Sequence, residues 1–285
     1  MKTLRAILTE LKKYTISLSF LICIGIAILL CFCSLFRITI DGSEQSVFDV
    51  MMSVSYEEKL ADISLNCYSA FKAGHGEWFT LFIPVAAAFA FVPVVCDERS
   101  GGNIRLNISR IGKIRYCVAK ATAAAVSAGL AIVIGYMIYG IVVFTTFPSP
   151  DMYCVEEQSF IYASLGTAPL LSVTGLLVRL FIYGAVSALP ALLLSAIIRN
   201  KFLVICIPFM MKYIFAQVYV KLVMDIIFLD AELPPIVSVI SPDSLLPEYS
   251  DAVQNVLVFA VYSAFIIICT VIYTIITVRR TDCGA

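Results

Sequence analysis

The 285 residues are 61% hydrophobic and 14% charged, with a mean hydropathy of +0.96, against roughly 25% charged residues in an ordinary soluble domain. A single soluble core of this length cannot hide so much apolar surface, so the expectation is one integral membrane domain without a soluble module. Twenty Lys and Arg balance twenty Asp and Glu, and where these charges fall says more than their zero sum.

Residues 1–14 place Leu4, Leu8 and Leu11, with Ile7 beside them, on one helical face, and Lys2, Arg5, Thr9, Lys12 and Lys13 on the other. This is the pattern of an amphipathic interfacial helix whose basic face meets anionic headgroups. The plainer alternative is a frayed basic start that only holds the N-terminus inside. Residues 15–36 form the first expected span, too long and too poor in small-x-small sites to be a cleavable signal peptide.

Residues 37–77 carry Asp41, Glu44, Asp49, Glu57, Glu58, Asp62 and Glu77 against Arg37, Lys59 and Lys72, which places this loop outside. Short helices are expected over 47–53 and 57–67, which would make the loop an ordered cap rather than a tether. Trp78 and Phe79 then fall at the outer interface, where amphipathic rings are favoured. The second span, 79–96, is interrupted by Pro84 and Pro93.

Residues 97–115 are the longest polar stretch between two apolar ones, and six basic residues lie from Arg99 to Lys120. The third span, 116–147, exceeds one bilayer crossing, so tilt or projection past the inner surface is expected. Ala121, Ala123, Ala124, Ala125, Ser127, Ala128 and Gly129 give it a small-residue surface for close helix packing. Residues 148–167 hold Asp151, Glu156 and Glu157 and no Lys or Arg, and are assigned outside. The fourth span, 171–198, contains Arg179 and Pro190, and an inner turn at Arg199-Asn200-Lys201 leads to the fifth, 202–223, with Pro208, Lys212 and Lys221. Residues 225–251 are acidic and outside, and the sixth span, 253–278, ends at Arg279-Arg280.

The orientation follows from counting. Lys2, Arg5, Lys12, Lys13, Arg99, Arg105, Arg110, Lys113, Arg115, Lys120, Arg199, Lys201, Arg279 and Arg280, fourteen of the twenty basic residues, fall on the side assigned inside, and only Arg37, Lys59 and Lys72 outside. Of the acids, Glu10, Asp97, Glu98 and Asp282 are inside and sixteen outside. Six spans with both termini cytoplasmic satisfy the positive-inside rule.

Little catalytic chemistry is legible. The single histidine, His75, excludes sites that need two imidazoles and reads as a solvated loop residue. There is no G-x-x-x-x-G-K-[ST] phosphate loop, no nucleophile elbow and no paired carboxylate in a span. Of the ten cysteines, Cys23, Cys31, Cys33, Cys206 and Cys269 lie in apolar runs as small hydrophobes, so no metal site is expected, and Cys67 and Cys154, in outer loops, are the pair a disulfide could join. Transport, signalling or structural roles are what remain. Charges inside spans are the usual functional pointers. Arg179 and Lys221 lie near the outer interface and are expected to snorkel there. Lys212 is close to mid-span, where it either meets a backbone carbonyl or an outer-loop acid, or faces a substrate path or gate.

The setting of residues 97–115 gives them a resemblance. Asp97-Glu98, Gly101, Ser109-Arg110, Tyr116 and Lys120, with Ser241-Pro242-x-x-Leu245-Leu246 before the last span, resemble the permease subunit of an ABC-2 type ABC transporter. The resemblance implies an all-α integral membrane protein of six transmembrane helices, an N-terminal interfacial helix over 1–14, a permease domain over 15–280, and a cytoplasmic coupling helix between spans two and three. It implies a separate ATP-binding cassette ATPase that holds ATP and Mg, a second permease copy or paralogue, and the plasma membrane of a bacterium. No cofactor and no nucleic acid are expected on this chain. Ile104, Ile108 and Ile111 recur at i, i+4 and i+7, an apolar ridge suited to a partner's groove, with Arg105 and Arg110 on its rim. Gly101 introduces the helix, and Glu98 and Arg110 are expected to set register. The bland alternative is an inner loop whose charges only set topology. The implied substrate is apolar or amphipathic, a peptide, lipid or drug moved outward. A non-transporting sensor or immunity protein and an ion-coupled carrier are the competing classes, and the carrier has no mid-membrane Asp or Glu beside Lys212.

Overall fold

The computed structural model describes residues 2–39, 42–100, 103–165, 169–198, 200–228, 239, 241–247 and 252–282, and at 2, 100, 103–106, 160, 163–165, 169–171, 227–228, 252 and 280–282 it describes the backbone alone. Five helices are long and apolar enough to cross a membrane, or six if the bent pair at the N-terminus is one span, as a helical multi-pass membrane protein requires. The chain divides into two units, Met1–Cys23 with Ile83–Ile132 and Arg179–Ala285, and Ile24–Phe82 with Val133–Val178.

At the N-terminus α1 (Lys2–Thr15) and α2 (Leu18–Phe32) meet at a 64° bend. Fifteen residues in α2 rise only about 22 Å, short of a hydrocarbon core of about 30 Å. Residues 35–36, expected in the span, instead begin a strand. Helix α1 has three faces where two were expected: Ala6, Glu10 and Tyr14 are buried, Leu4 and Leu8 are 62% and 56% exposed, and Arg5, Thr9 and Lys12 are exposed on the third.

After α2 comes a folded cap, all within the second unit. Strand β1 (Leu35–Ile38) pairs antiparallel with β2 (Glu44–Ser46). Capping boxes at Ser46 with Asp49 and at Ser55 with Glu58 start α3 (Val47–Ser53) and α4 (Tyr56–Ala61), and Asn66 caps α5 (Cys67–Ala73). The cap is tied to α9 (Lys113–Thr146): Tyr136 and Tyr139 donate to the carbonyls of Phe71 and Ala70, each at 2.5 Å. After α9, the region expected as a plain loop carries α10 (Val155–Leu165), and Tyr153 just before it donates to Lys59 O at 3.0 Å. Cys67 is buried, Cys154 exposed, and both are free thiols.

His75 is not the solvated residue its loop suggested. The one Tyr136 hydroxyl proton goes to Phe71 O, so the hydroxyl accepts from His75 Nδ1–H at 3.3 Å, which assigns the Nδ1 tautomer. Burial, with Lys72 as the smaller cause, lowers the imidazole pKa from 6.5 to about 4. Above pH 6.5 both folded and unfolded chains hold it neutral. As pH falls toward 4 the unfolded chain binds a proton that the folded one does not, so stability drops by on the order of 3 kcal/mol and levels off below that. Thermal midpoints in detergent between pH 7 and 4 are expected to show this loss, and His75→Gln, which keeps an N–H donor, to flatten it; identical pH profiles for both proteins would contradict the placement.

Next, α6 (Glu77–Phe89) runs through Pro84 and gives way at residues 90–91 to α7 (Val92–Ser100), in which Pro93 occupies the first turn, where a missing N–H costs nothing. Trp78 is 54% exposed and stacks on Phe82, whereas Phe79, expected beside it at the interface, is fully buried against Tyr136. The helix α8 (Asn103–Ile111) is separated from α9 by Gly112 alone, whose φ of 93° only glycine adopts without strain. The 34 residues of α9 rise about 51 Å, more than one crossing. Its Ala121, Ala123, Ala124 and Ala128 are buried, as the small-residue pattern predicts. The last three long helices are α11 (Pro169–Ile197), α12 (Lys201–Phe228) and α13 (Ala252–Asp282), the first two continuous through Pro190 and Pro208.

Candidate functional site

The polar stretch is built from the end of α7, all of α8 and the first two turns of α9, and everything described here lies in the first unit. At its centre is Glu98. One carboxylate oxygen takes the Lys120 ammonium and the other that of Lys13 at 2.9 Å, and Lys13 also bonds Glu10 at 2.9 Å. Lys120 is fully buried; it donates to the Tyr116 hydroxyl at 2.8 Å and sits over that ring. Two acids and two bases make a neutral cluster, which is how such groups are tolerated out of water. Its members come from α1, α7 and α9, so the cluster joins the N-terminal helix to the helices on both sides of α8.

The neighbours of Glu98 are also committed. Asp97 pairs with Lys201 at the start of α12. Arg99 donates from Nη1 to Ser195 O at 2.6 Å and to Ile198 O at 3.2 Å, satisfying carbonyls that the end of α11 leaves without helical partners. These three consecutive residues therefore face the protein's own helices.

Helix α8 contacts α1 and α7. Ile108 and Ile111 are half-buried, and Ser109 and Arg110 are exposed, as are Lys113, Ile114 and Arg115 beyond the Gly112 break. Ile104 and Arg105 lie on the α8 backbone, but their side chains fall outside the described residues, as does Gly101 altogether. Of the residues singled out from sequence, the structure thus groups Ile108, Arg110 and Ile111 on one short helix and places Glu98 one helix earlier, turned inward. Lys13 and Glu10 were not singled out: no spacing rule links residue 13 to residue 98.

A second polar site surrounds Lys212. Its ammonium reaches Asp243 Oδ1 at 2.7 Å and the Tyr183 hydroxyl, and Tyr183 donates to the same carboxylate oxygen at 2.9 Å. The acid is the one in the Ser241-Pro242 element, which the charge count puts in an outer loop. Arg179 donates to Pro247 O and to Asn255 Oδ1, the latter at 2.9 Å. Lys221 is exposed. Among the described residues no three His, Cys, Asp or Glu side chains converge as a metal site would require.

Compared with known protein families the chain matches none, and among curated proteins it finds no match.

Proposed function

We propose that the chain is the transmembrane permease subunit of an ATP-driven exporter of the ABC-2 type, and that α8 is the helix on which a separate ATP-binding cassette subunit acts. The observation that carries this is α8 itself, a short amphipathic helix between two candidate spans, set off by Gly112 and backed by a buried ion cluster. A helix that must receive a push needs an exposed face and a stiff attachment. Ser109 and Arg110 lie on the exposed face, with Ile108 and Ile111 half-buried beside them. Glu98, held between Lys13 and Lys120, stiffens the helix just before it, so displacement of α8 passes to α1 and α9 rather than being lost in a loop.

In this reading both termini and α8 are cytoplasmic, the cap over residues 35–73 is outside, and two permease copies, or a copy and a paralogue, pair with two ATPases that supply the ATP and Mg site. The substrate is an apolar or amphipathic molecule moved outward across a bacterial plasma membrane. A second reading, a sensor or immunity protein without transport, draws support from the folded cap and its exposed Asp49, Glu57 and Glu58.

Affinity purification of the full chain from membranes of its own cells, probed for a copurifying ATP-binding cassette protein, tests the choice. The pair is expected to copurify, and Ile108→Asp to reduce recovery at least about tenfold while the permease keeps its thermal midpoint, since Ile108 is only half-buried. Equal recovery with Ile108→Asp would remove α8 as the contact. Absence of any ATPase partner, with a ligand bound by the cap, would favour the sensor.

A further inference from the structure

The sequence Ser241-Pro242-Asp243-Ser244-Leu245-Leu246-Pro247 is closed by proline at both ends, which limits it to a single 3-10 turn, Pro242–Leu245. One turn has almost no stability of its own, so its position is set by what holds it. Leu245 and Leu246 are buried. Tyr262 on α13 donates to Val239 O at 2.9 Å, and Arg179 on α11 to Pro247 O. On the remaining side the tie is Lys212 of α12 to Asp243, with Tyr183 of α11 bonded to both.

The packing of α12 makes that last tie different in kind. Val204, Ile205 and Pro208 are buried, but from Tyr213 to Ile226 no side chain is, and only 17% of its apolar window is buried, against 61% for the window on α11. Past Lys212, then, little apolar contact within this chain fixes α12, and an ion pair stands at the boundary. The Lys212 side chain is 10% exposed and that of Asp243 40%. When the pair parts, Asp243 is the partner that can move into water, while Lys212 keeps the Tyr183 hydroxyl but loses its carboxylate in a largely buried place, which makes the closed state the favoured one at rest.

We propose that residues 241–247 form a wedge latched to α12 by the Lys212–Asp243 ion pair, and that release of this latch frees the later half of α12 and opens the outer end of the transport path. The meaning of the path rests on the permease reading; the latch does not. Tyr183 positions the carboxylate, and Tyr262 and Arg179 hold the wedge to α11 and α13 as α12 moves.

Hydrogen exchange on the full chain in lipid nanodiscs, without ATP or any partner, tests the latch. Amides over 241–247 are expected to exchange about tenfold faster or more in Lys212→Met and in Asp243→Asn, and near the wild-type rate in Lys212→Arg, with the middle of α9 unchanged in all three. Asp243→Asn keeps size and hydrogen bonding, so it remains readable if Lys212→Met folds poorly. Exchange within twofold of wild type in both Lys212→Met and Asp243→Asn would overturn the proposal. Because no ATPase is present, that result would leave the α8 contact standing, and loss of the α8 contact would leave the latch standing.

Discussion

Glu98→Ala is expected to cost about 3–5 kcal/mol of stability, the scale of removing one partner from a buried ion pair. Lys120 is fully buried, and without Glu98 its ammonium keeps the Tyr116 hydroxyl and ring but loses its carboxylate. The damage is not symmetric around the cluster. Lys13, with its side chain 38% exposed, keeps Glu10 and can be hydrated when Glu98 is lost, so the cost falls mainly on Lys120. In detergent the Glu98→Ala midpoint is expected to fall by roughly 6–20 °C for a domain of this size. A double variant, Glu98→Leu with Lys120→Met, should recover much of that loss, because it removes both charges together. A Glu98→Ala midpoint at the wild-type value would mean that Glu98 and Lys120 do not form a buried pair.

Gly129→Val is the second large effect. A Cβ at Gly129 would lie 2.6 Å from the Phe181 carbonyl oxygen and 2.8 Å from its ring, and one at the facing Gly184 would lie 3.1 Å from Gly129 Cα. The helices α9 and α11 therefore cross with backbones almost touching, as small residues allow in membranes. Replacing glycine by alanine in a helix ordinarily gains about 0.5–1 kcal/mol, but overpacking costs about 1–3 kcal/mol, and a backbone oxygen cannot swing aside as a side chain can. The clash wins, so Gly129→Ala should destabilise modestly and Gly129→Val severely. Gly175, with nothing within 4 Å of its Cβ position, is the control: Gly175→Ala should leave the midpoint unchanged or slightly raised. Thermal unfolding of the three variants in one detergent checks the ordering, and a Gly129→Val midpoint at the wild-type value would refute the crossing.

The helices were legible in the sequence because their determinants are local. Continuous apolar runs gave the five long candidate spans to within a few residues at most ends, the alanine series on α9 announced its buried surface, and Ser46 with Asp49 three residues on marks the start of α3. The hairpin of β1 and β2 was missed although Asp41-Gly42 is a turn signal, because Leu35 and Phe36 continue the apolar run of α2. The breaks were half legible: Pro93 pointed to the interruption in the second span, but its position in the first turn of α7 is what makes it compatible with a helix.

Partnerships across the chain were not legible. Hydropathy puts Asp243 in an acidic outer loop and Lys212 inside a span, and only the return of the Ser241-Pro242 element between helices brings them to 2.7 Å. The same holds for Lys13 and Glu98, whose separation by 85 positions leaves no periodic trace. His75 between two glycines looks solvated in any linear reading; Tyr136, on a distant helix, decides otherwise.

The most direct test of the account is a photo-crosslinker placed at position 110 on the exposed side of α8, with one at position 57 in the cap as control, in membranes that also contain an ATP-binding cassette protein that copurifies with the chain. The account predicts an adduct of the 31.3 kDa chain with that ATPase from position 110, altered in yield by ATP, and none from position 57. An ATPase adduct from position 57, or none from position 110 in a complex that copurifies intact, would contradict it.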